Sequence, residues 1–136
     1  PRFPCGVIPT ARKSQRKGRN AELELCRILQ EYGYDVQPGR AVSYGSTPDI
    51  SGLPGVHVEC KRAEQLRIQD WIDQAVRDTE RFHGGLPAVF HRRNRQGWLV
   101  TMRLPDWLEM YQKVPHNPPE SRRNRRRLII RRFRMP

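Results

Sequence analysis

The sequence has few cysteines and no long apolar run. Its three cysteines, Cys5, Cys26 and Cys60, are too few and too scattered for a disulfide framework, so a reducing, cytoplasmic setting is expected. It contains no Cys-x-x-Cys or His-x-x-x-His pair, which argues against a zinc site. No stretch approaches the roughly 18 apolar residues of a membrane span. The length of 136 residues fits a single domain.

Acidic residues are scarce at both ends of the chain. Residues 1–19 carry six Lys and Arg and no acid, and residues 120–136 carry eight Arg and one Glu, so the net charge of +12 lies at the ends of a nearly neutral body. Such basic ends favour binding to phosphate backbones, with an anionic membrane or simple solubility as alternatives. We expect a basic arm over 1–16, a core over 17–114, and a proline linker with an arginine-rich tail over 115–136.

Residues that could bind a metal or take part in catalysis are concentrated between positions 48 and 61. The segment from 56 to 61 alternates, as a strand with one apolar and one charged face would. Its apolar members are Val56, Val58 and Cys60, and its polar members are His57, Glu59 and Lys61. Neighbouring residues on one strand face lie roughly 6–7 Å apart. Asp49 precedes a Gly52–Gly55 turn, so its carboxylate and that of Glu59 can form an oxygen-rich pocket suited to Mg²⁺.

This constellation resembles the PD-(D/E)XK nuclease superfamily. The matching elements are Pro48-Asp49 and Glu59-Cys60-Lys61. The segment 17–25 also resembles the opening helix of the archaeal-type Holliday-junction resolvases. In those enzymes a Lys-Gly pair precedes a helix whose first turn carries a metal-site Glu, and Glu22 takes that place. Without the resemblance, an acid in a first helical turn would simply complement the helix dipole.

The resemblance implies a fold, an activity and a set of site residues. The fold would be an α/β, restriction-endonuclease-like core with a mixed central sheet flanked by helices. The activity would be Mg²⁺- or Mn²⁺-dependent hydrolysis of DNA, with a four-way junction as substrate and a homodimer as the active form. Its catalytic residues would be Glu22, Asp49, Glu59, Lys61 and Gln74, and its metal ligands Glu22, Asp49, Glu59 and the Cys60 backbone carbonyl. Gln69 competes with Gln74 for its role.

Periodicity and turn residues place the remaining elements. We expect helices over 18–32, 68–82 and 104–111, and strands over 34–37, 86–92 and 98–102, in addition to the two strands that carry Asp49 and Glu59. The link 94–97 between the last two strands contains Asn and Gly, which is a hairpin signal. The order is thus one helix, three strands, a helix, two strands and a helix, typical of helices packed on a sheet.

Basic residues at three places are candidate contacts to the DNA backbone. They lie around the start of the first helix, cluster with His91 at the tip of the hairpin, and fill the tail. The candidates are Arg16, Lys17, Arg19, Arg92, Arg93, Arg95, Arg122, Arg123, Arg125, Arg126 and Arg127. Solvated surface charge is the alternative for each. For the whole protein, the alternatives are another nuclease of the superfamily acting on linear, branched or nicked DNA, or a non-catalytic basic domain that binds nucleic acid. We expect neither a membrane partner nor a small-molecule cofactor.

Overall fold

The computed structural model describes residues 10–39, 47–82 and 84–115. The helices are α1 (Thr10–Glu31), α2 (Ile68–Phe82) and α3 (Leu104–Gln112). The strands are β1 (Gln37–Pro38), β2 (Ile50–Ser51), β3 (Val56–Arg62), β4 (Leu86–Arg92) and β5 (Leu99–Thr101). This is the predicted element order, and α2 and β4 have their predicted bounds. None of the described helices has the length and apolar character needed to cross a bilayer.

Helix α1 begins eight residues before its predicted start. Thr10, a residue type favoured at helix starts, opens it, and no proline interrupts the 22 residues from Thr10 to Glu31. Gly18 therefore lies inside the helix, and Glu22 lies in its fourth turn rather than its first. The dipole explanation for Glu22 is thus excluded, because that effect fades within the first turn. The expected arm 1–16 overlaps this helix from residue 10 onward.

The five described strands form one mixed sheet in the order β1-β2-β3-β4-β5. Strand β2 pairs antiparallel with both β1 and β3. Strands β3 and β4 pair in parallel and are connected by α2. Strands β4 and β5 form the predicted antiparallel hairpin. The predicted strand 34–37 was wrong in its bounds, because pairing with β2 involves only Gln37 and Pro38. The architecture is the expected restriction-endonuclease-like α/β fold.

Helices cover both faces of the central strands. Ala21 and Leu25 of α1 pack with Val58 and Cys60 of β3, whereas α2 packs its apolar side on Val89 of β4. Val89 is in register with Glu59, which points to the face opposite Val58. The sequence predicted one apolar face that can be buried and one charged face on β3, without predicting how far the charged face is covered. The charged face is also buried, with His57 1% and Glu59 4% exposed.

The described chain divides into two compact units, with the boundary between Asp106 and Trp107. The first unit contains the whole sheet. Within the second, Trp107 and Tyr111 stack with ring centroids 4.8 Å apart, and Lys113 pairs with Glu109 at 3.3 Å. The site residues named above that the structure describes all belong to the first unit.

Two glycines give opposite predictions for stability. A Cβ added at Gly18 would meet no atom within 4 Å, and glycine inside a helix costs about 1 kcal/mol relative to alanine. Gly33 also has open space, but its φ of +95° lies in the left-handed region just after α1. We expect Gly18→Ala to raise the free energy of unfolding by about 0.5–1 kcal/mol in urea titrations, and Gly33→Ala to lower it. Equal effects of the two changes would contradict the assignment of Gly18 to the interior of α1.

Candidate metal centre

Asp49 is fixed at the end of β2 by backbone contacts on both sides. Its amide donates to the Val58 carbonyl at 2.9 Å, and its own carbonyl accepts from the Gly39 amide at 2.7 Å. A Cβ at Gly39 would collide with the Pro48 carbonyl oxygen, so glycine permits this close approach. The Oδ2 atom of Asp49 then accepts the Cys60 amide at 2.7 Å. The carboxylate is thereby held against the middle of β3.

Glu59, Lys61 and Gln74 form a chain of polar contacts between β3 and α2. The Lys61 Nζ lies 2.7 Å from Oε1 of Glu59 and donates to Oε1 of Gln74 at 3.0 Å. The Glu59 side chain is 5% exposed and that of Lys61 is 25% exposed, so the lysine is the more accessible member of the pair. Gln74 rather than its rival reaches the site, because Gln69 bonds Asp73 of its own helix.

Glu22 approaches the same centre from α1. Burial and the negative charge of Glu59 raise the pKa of Glu22, while the positive charges of Arg19 and Lys61 oppose that rise. The acids at positions 22 and 59 are therefore near enough to repel, although they belong to different elements. Such repulsion is what a bound cation would relieve.

Asp49 is the most strongly perturbed acid of the centre. Burial and the charge of Glu59 raise the pKa of Asp49 from 3.8 to about 7, with a further contribution from Glu22, against the Cys60 hydrogen bond and Lys61. The same surroundings raise the pKa of the Cys60 thiol, chiefly through burial. A buried carboxyl that shares a pocket with two others fits a divalent cation, because metal and proton compete for the same oxygens.

The tightest group of potential metal ligands differs from the predicted one. Within the described residues, it consists of His57, Glu59 and Asp78, which offer ligand atoms that all lie within 4.8 Å of one another. Glu22 and Asp49 are coupled to Glu59 through their charges but do not join a group that tight. The candidate centre thus contains Glu59, to which Asp49 and Glu22 are coupled through charge, and near which His57 and Asp78 offer ligand atoms.

The predicted DNA contacts fall into three categories. Arg16, Lys17 and Arg19 lie on α1, and Arg93 and Arg95 are exposed at the hairpin turn, where Arg95 has φ +59°. Arg92 instead forms an ion pair with Glu24, with 2.9 Å between a guanidinium nitrogen and a carboxylate oxygen. Its guanidinium carbon lies 5.7 Å from the centroid of the Trp98 ring, and 13% of its side chain is exposed. The candidates Arg122, Arg123, Arg125, Arg126 and Arg127 lie outside the described residues.

His91 does not join the basic tip of the hairpin. It is 2% exposed inside β4, and its Nε2 lies 2.8 Å from the hydroxyl of Thr101. Trp71 of α2 packs against it with ring centroids 5.7 Å apart. The prediction that placed it in an exposed patch was wrong, because α2 covers this face of β4.

Comparison with known families decides which class of protein this is. The profile of the family described as "Phage putative PDDEXK endonuclease" matches residues 13–132, most of the chain. The chain belongs to this nuclease family. Among solved structures, it is similar to the Holliday-junction resolvase Hjc of Archaeoglobus fulgidus, with 23% identity over 63% of this chain and 72% of that one, and a TM-score of 0.47. A search of curated proteins finds no match.

His57 and Asp78, which lie in the candidate centre, were not among the predicted ligands. A signal for both exists in the sequence. His57 shares a strand face with Glu59 and Lys61, and Asp78 lies one helical turn after Gln74. The two faces meet only because α2 folds back over β3. Burial lowers the pKa of His57, against the charges of Glu59 and Asp78.

The raised pKa of Asp49 predicts how the stability of the metal-free nuclease depends on pH. Between its unfolded value of 3.8 and about 7, the folded chain holds a proton on Asp49 that the unfolded chain has lost, so the free energy of unfolding falls as pH rises through this window. Asp49→Asn, which keeps an oxygen acceptor for Cys60, removes this contribution, on the order of 1–4 kcal/mol.

Urea unfolding in EDTA at pH 4.5 and pH 8 measures the effect. The difference between wild type and Asp49→Asn isolates Asp49 from the buried histidines, whose lowered pKa values act in the opposite direction. Asp73→Asn, an exposed acid of α2, is the control and should leave the wild-type pH dependence unchanged. Identical pH profiles for wild type and Asp49→Asn would contradict the burial of this carboxyl.

Proposed function

We propose that this nuclease is a divalent-metal-dependent DNA endonuclease that cleaves four-way junctions by phosphodiester hydrolysis. The observation that carries the proposal is the centre around Glu59. Three carboxyl groups from α1, β2 and β3 act on one another's charge there, beside an ammonium that is held in place. A fold gains nothing from crowding buried acids unless a cation or a reaction uses them.

Glu22, Asp49, Glu59 and the Cys60 carbonyl are the proposed ligands of Mg²⁺ or Mn²⁺. Oxygen donors of this kind suit hard cations. When bound, the metal would lower the pKa of a coordinated water and neutralise charge on the phosphate. The chain's contribution is to hold the carboxylates rigidly, with Asp49 fixed by the Cys60 amide at 2.7 Å and Glu59 fixed by Lys61 at the same distance.

Lys61 is the proposed catalytic cation. Its ammonium group contacts both Glu59 and Gln74, and a quarter of its side chain is exposed, which supports access for a phosphate or an attacking water. A fixed ammonium stabilises the charge that develops on the phosphate oxygens in the transition state without needing to reorganise. Gln74 is a positioning residue, because its carbonyl oxygen accepts one of the Lys61 protons and limits where the others point.

The choice of a four-way junction rests on the sequence resemblance to archaeal-type resolvases. That choice implies a homodimer, since two sites related by a two-fold axis can cut opposed strands symmetrically. Among the strands that the structure describes, β5 is an outer one, and its Leu99 and Val100 are 61% and 55% exposed. Two apolar side chains on an edge strand are suited to contact with a second copy.

The direct test is cleavage of a labelled four-way junction and of a linear duplex with the same arm sequences. With Mg²⁺ we expect paired cuts in opposed strands of the junction, and none in EDTA. Asp49→Asn, Glu59→Gln and Lys61→Ala should each reduce the cleavage rate by at least about 100-fold, because each removes a ligand or a charge used in the transition state. Junction binding, measured in Ca²⁺, should persist.

Asp73→Asn makes the same carboxylate-to-amide change on the exposed side of α2 and should cleave like wild type. Full cleavage by two of the three site variants would refute the assignment of the centre. Equal cutting of junction and duplex would keep the nuclease and refute the junction preference. Binding without cleavage under all metal conditions would leave a non-catalytic nucleic-acid-binding domain.

The exposed arginines of the hairpin turn should contribute to backbone binding. Each phosphate contact contributes about 0.9 to the slope of log K against log salt concentration. We expect Arg93→Ala/Arg95→Ala to reduce that slope by about 1–2 in fluorescence-anisotropy titrations of junction DNA. The double change Arg77→Ala/Arg81→Ala, on the exposed part of α2, is the matched control and should leave the slope unaltered. If the hairpin variant has the same salt dependence of binding as wild type, these arginines do not contact the DNA backbone.

A further inference from the structure

A compact group of potential metal ligands joins β3 to α2 and includes Glu59 but not Asp49. A ring nitrogen of His57 and one carboxylate oxygen each from Glu59 and Asp78 lie within 4.8 Å of one another. His57 and Glu59 come from the same face of β3, and Asp78 comes from the α2 helix that covers that face. Atoms this close can share one central ion, since metal–ligand bonds of about 2.0–2.2 Å place neighbouring ligand atoms roughly 3–4 Å apart.

His57 supplies a second, independent observation. Its side chain is 1% exposed, and its Nε2 atom is buried without a hydrogen-bond partner among the described residues. Buried ring nitrogens are normally satisfied, because leaving one unpaired costs the full desolvation penalty of that group. A buried imidazole that has an unpaired nitrogen and also belongs to a group with two carboxylates is a suitable metal ligand.

We propose that His57, Glu59 and Asp78 bind a first-row transition-metal dication at a site separate from the Mg²⁺ site of the proposed function. Imidazole nitrogen with two carboxylates suits ions such as Mn²⁺, Co²⁺ or Zn²⁺ better than Mg²⁺, which prefers oxygen ligands alone. The ion would link β3 to α2. The sequence has no short metal-binding motif, but this is not evidence against the site, because its ligands come from separate elements.

Glu59 is the residue that the two sites would share. One of its oxygens is paired with Lys61 at 2.7 Å, and a carboxylate has enough lone pairs to serve a further partner. Asp49 and Glu22 belong only to the proposed catalytic site, whereas His57 and Asp78 belong only to the new one. The two sites can therefore be removed separately. The inference does not require that the protein cleave DNA.

The test measures Co²⁺ binding to the full chain in the absence of Mg²⁺ and of DNA. Co²⁺ is chosen because its visible absorption responds to nitrogen ligation, and dialysis with metal analysis counts the ions bound. Asp78→Asn and His57→Gln should each weaken Co²⁺ binding at this site by at least about 10-fold and remove the absorption band. Asp49→Asn should keep the band, and so should Asp73→Asn, the exposed control on the same helix.

Thermal unfolding provides the second readout, because an ion that binds only the folded chain raises its melting temperature. Co²⁺ should stabilise wild type, Asp49→Asn and Asp73→Asn more than an equal concentration of Mg²⁺ does, and should not stabilise Asp78→Asn. Unchanged Co²⁺ binding in Asp78→Asn and His57→Gln would overturn the proposal. Loss of the band in Asp49→Asn with retention in Asp78→Asn would also overturn it, by placing the ion at the proposed nuclease site. Neither result bears on cleavage, which is measured separately with Mg²⁺.

Discussion

The hydrogen bond from the Cys60 amide to Asp49 is the contact on which the centre depends. It holds a carboxylate from the end of β2 against the middle of β3 at 2.7 Å, and it brings Asp49 within range of the charges of Glu59 and Glu22. An exposed group of three acids would be screened by water and would cost little. Here two helices cover the sheet, so burial, together with the negative charge of Glu59, raises the pKa of Asp49 to about 7. This arrangement lowers the stability of the folded chain, which is typical of sites that bind cations.

Burial on both faces of β3 is the second constraint. The alternating pattern of the strand indicates one apolar face, packed on Ala21 and Leu25 of α1. The polar face is no less buried, because α2 returns over it between the parallel strands β3 and β4. Covering that face obliges each polar group on it to find a partner. Lys61 finds two, in Glu59 and Gln74, whereas Nε2 of His57 finds none within the described part of the chain.

Local signals predicted most elements, and they failed where a boundary depends on pairing or packing. Helix α2 and strand β4 have their predicted ends because amphipathic periodicity and flanking glycines mark them. The start of α1 was missed because the helix was expected to begin at Gly18, although one glycine inside a long helix costs only about 1 kcal/mol. Strand β1 was misplaced because its bounds are set by β2, a partner twelve residues or more away along the chain. His91 was assigned to the surface because nothing near it in sequence reveals that α2 covers it.

The order of the elements, the mixed α/β class and the motif residues Asp49, Glu59 and Lys61 were determined by the sequence alone, since strand alternation, turn glycines and motif spacing are local properties. The convergence of Glu22, Gln74 and Asp78 on β3 was decided only by the tertiary structure. Each lies on a helix whose rotation and placement follow from how its apolar side packs on the sheet. Sequence spacing specifies which residues share a helix face, but the surface that this face meets is chosen by burial of apolar area across the whole core.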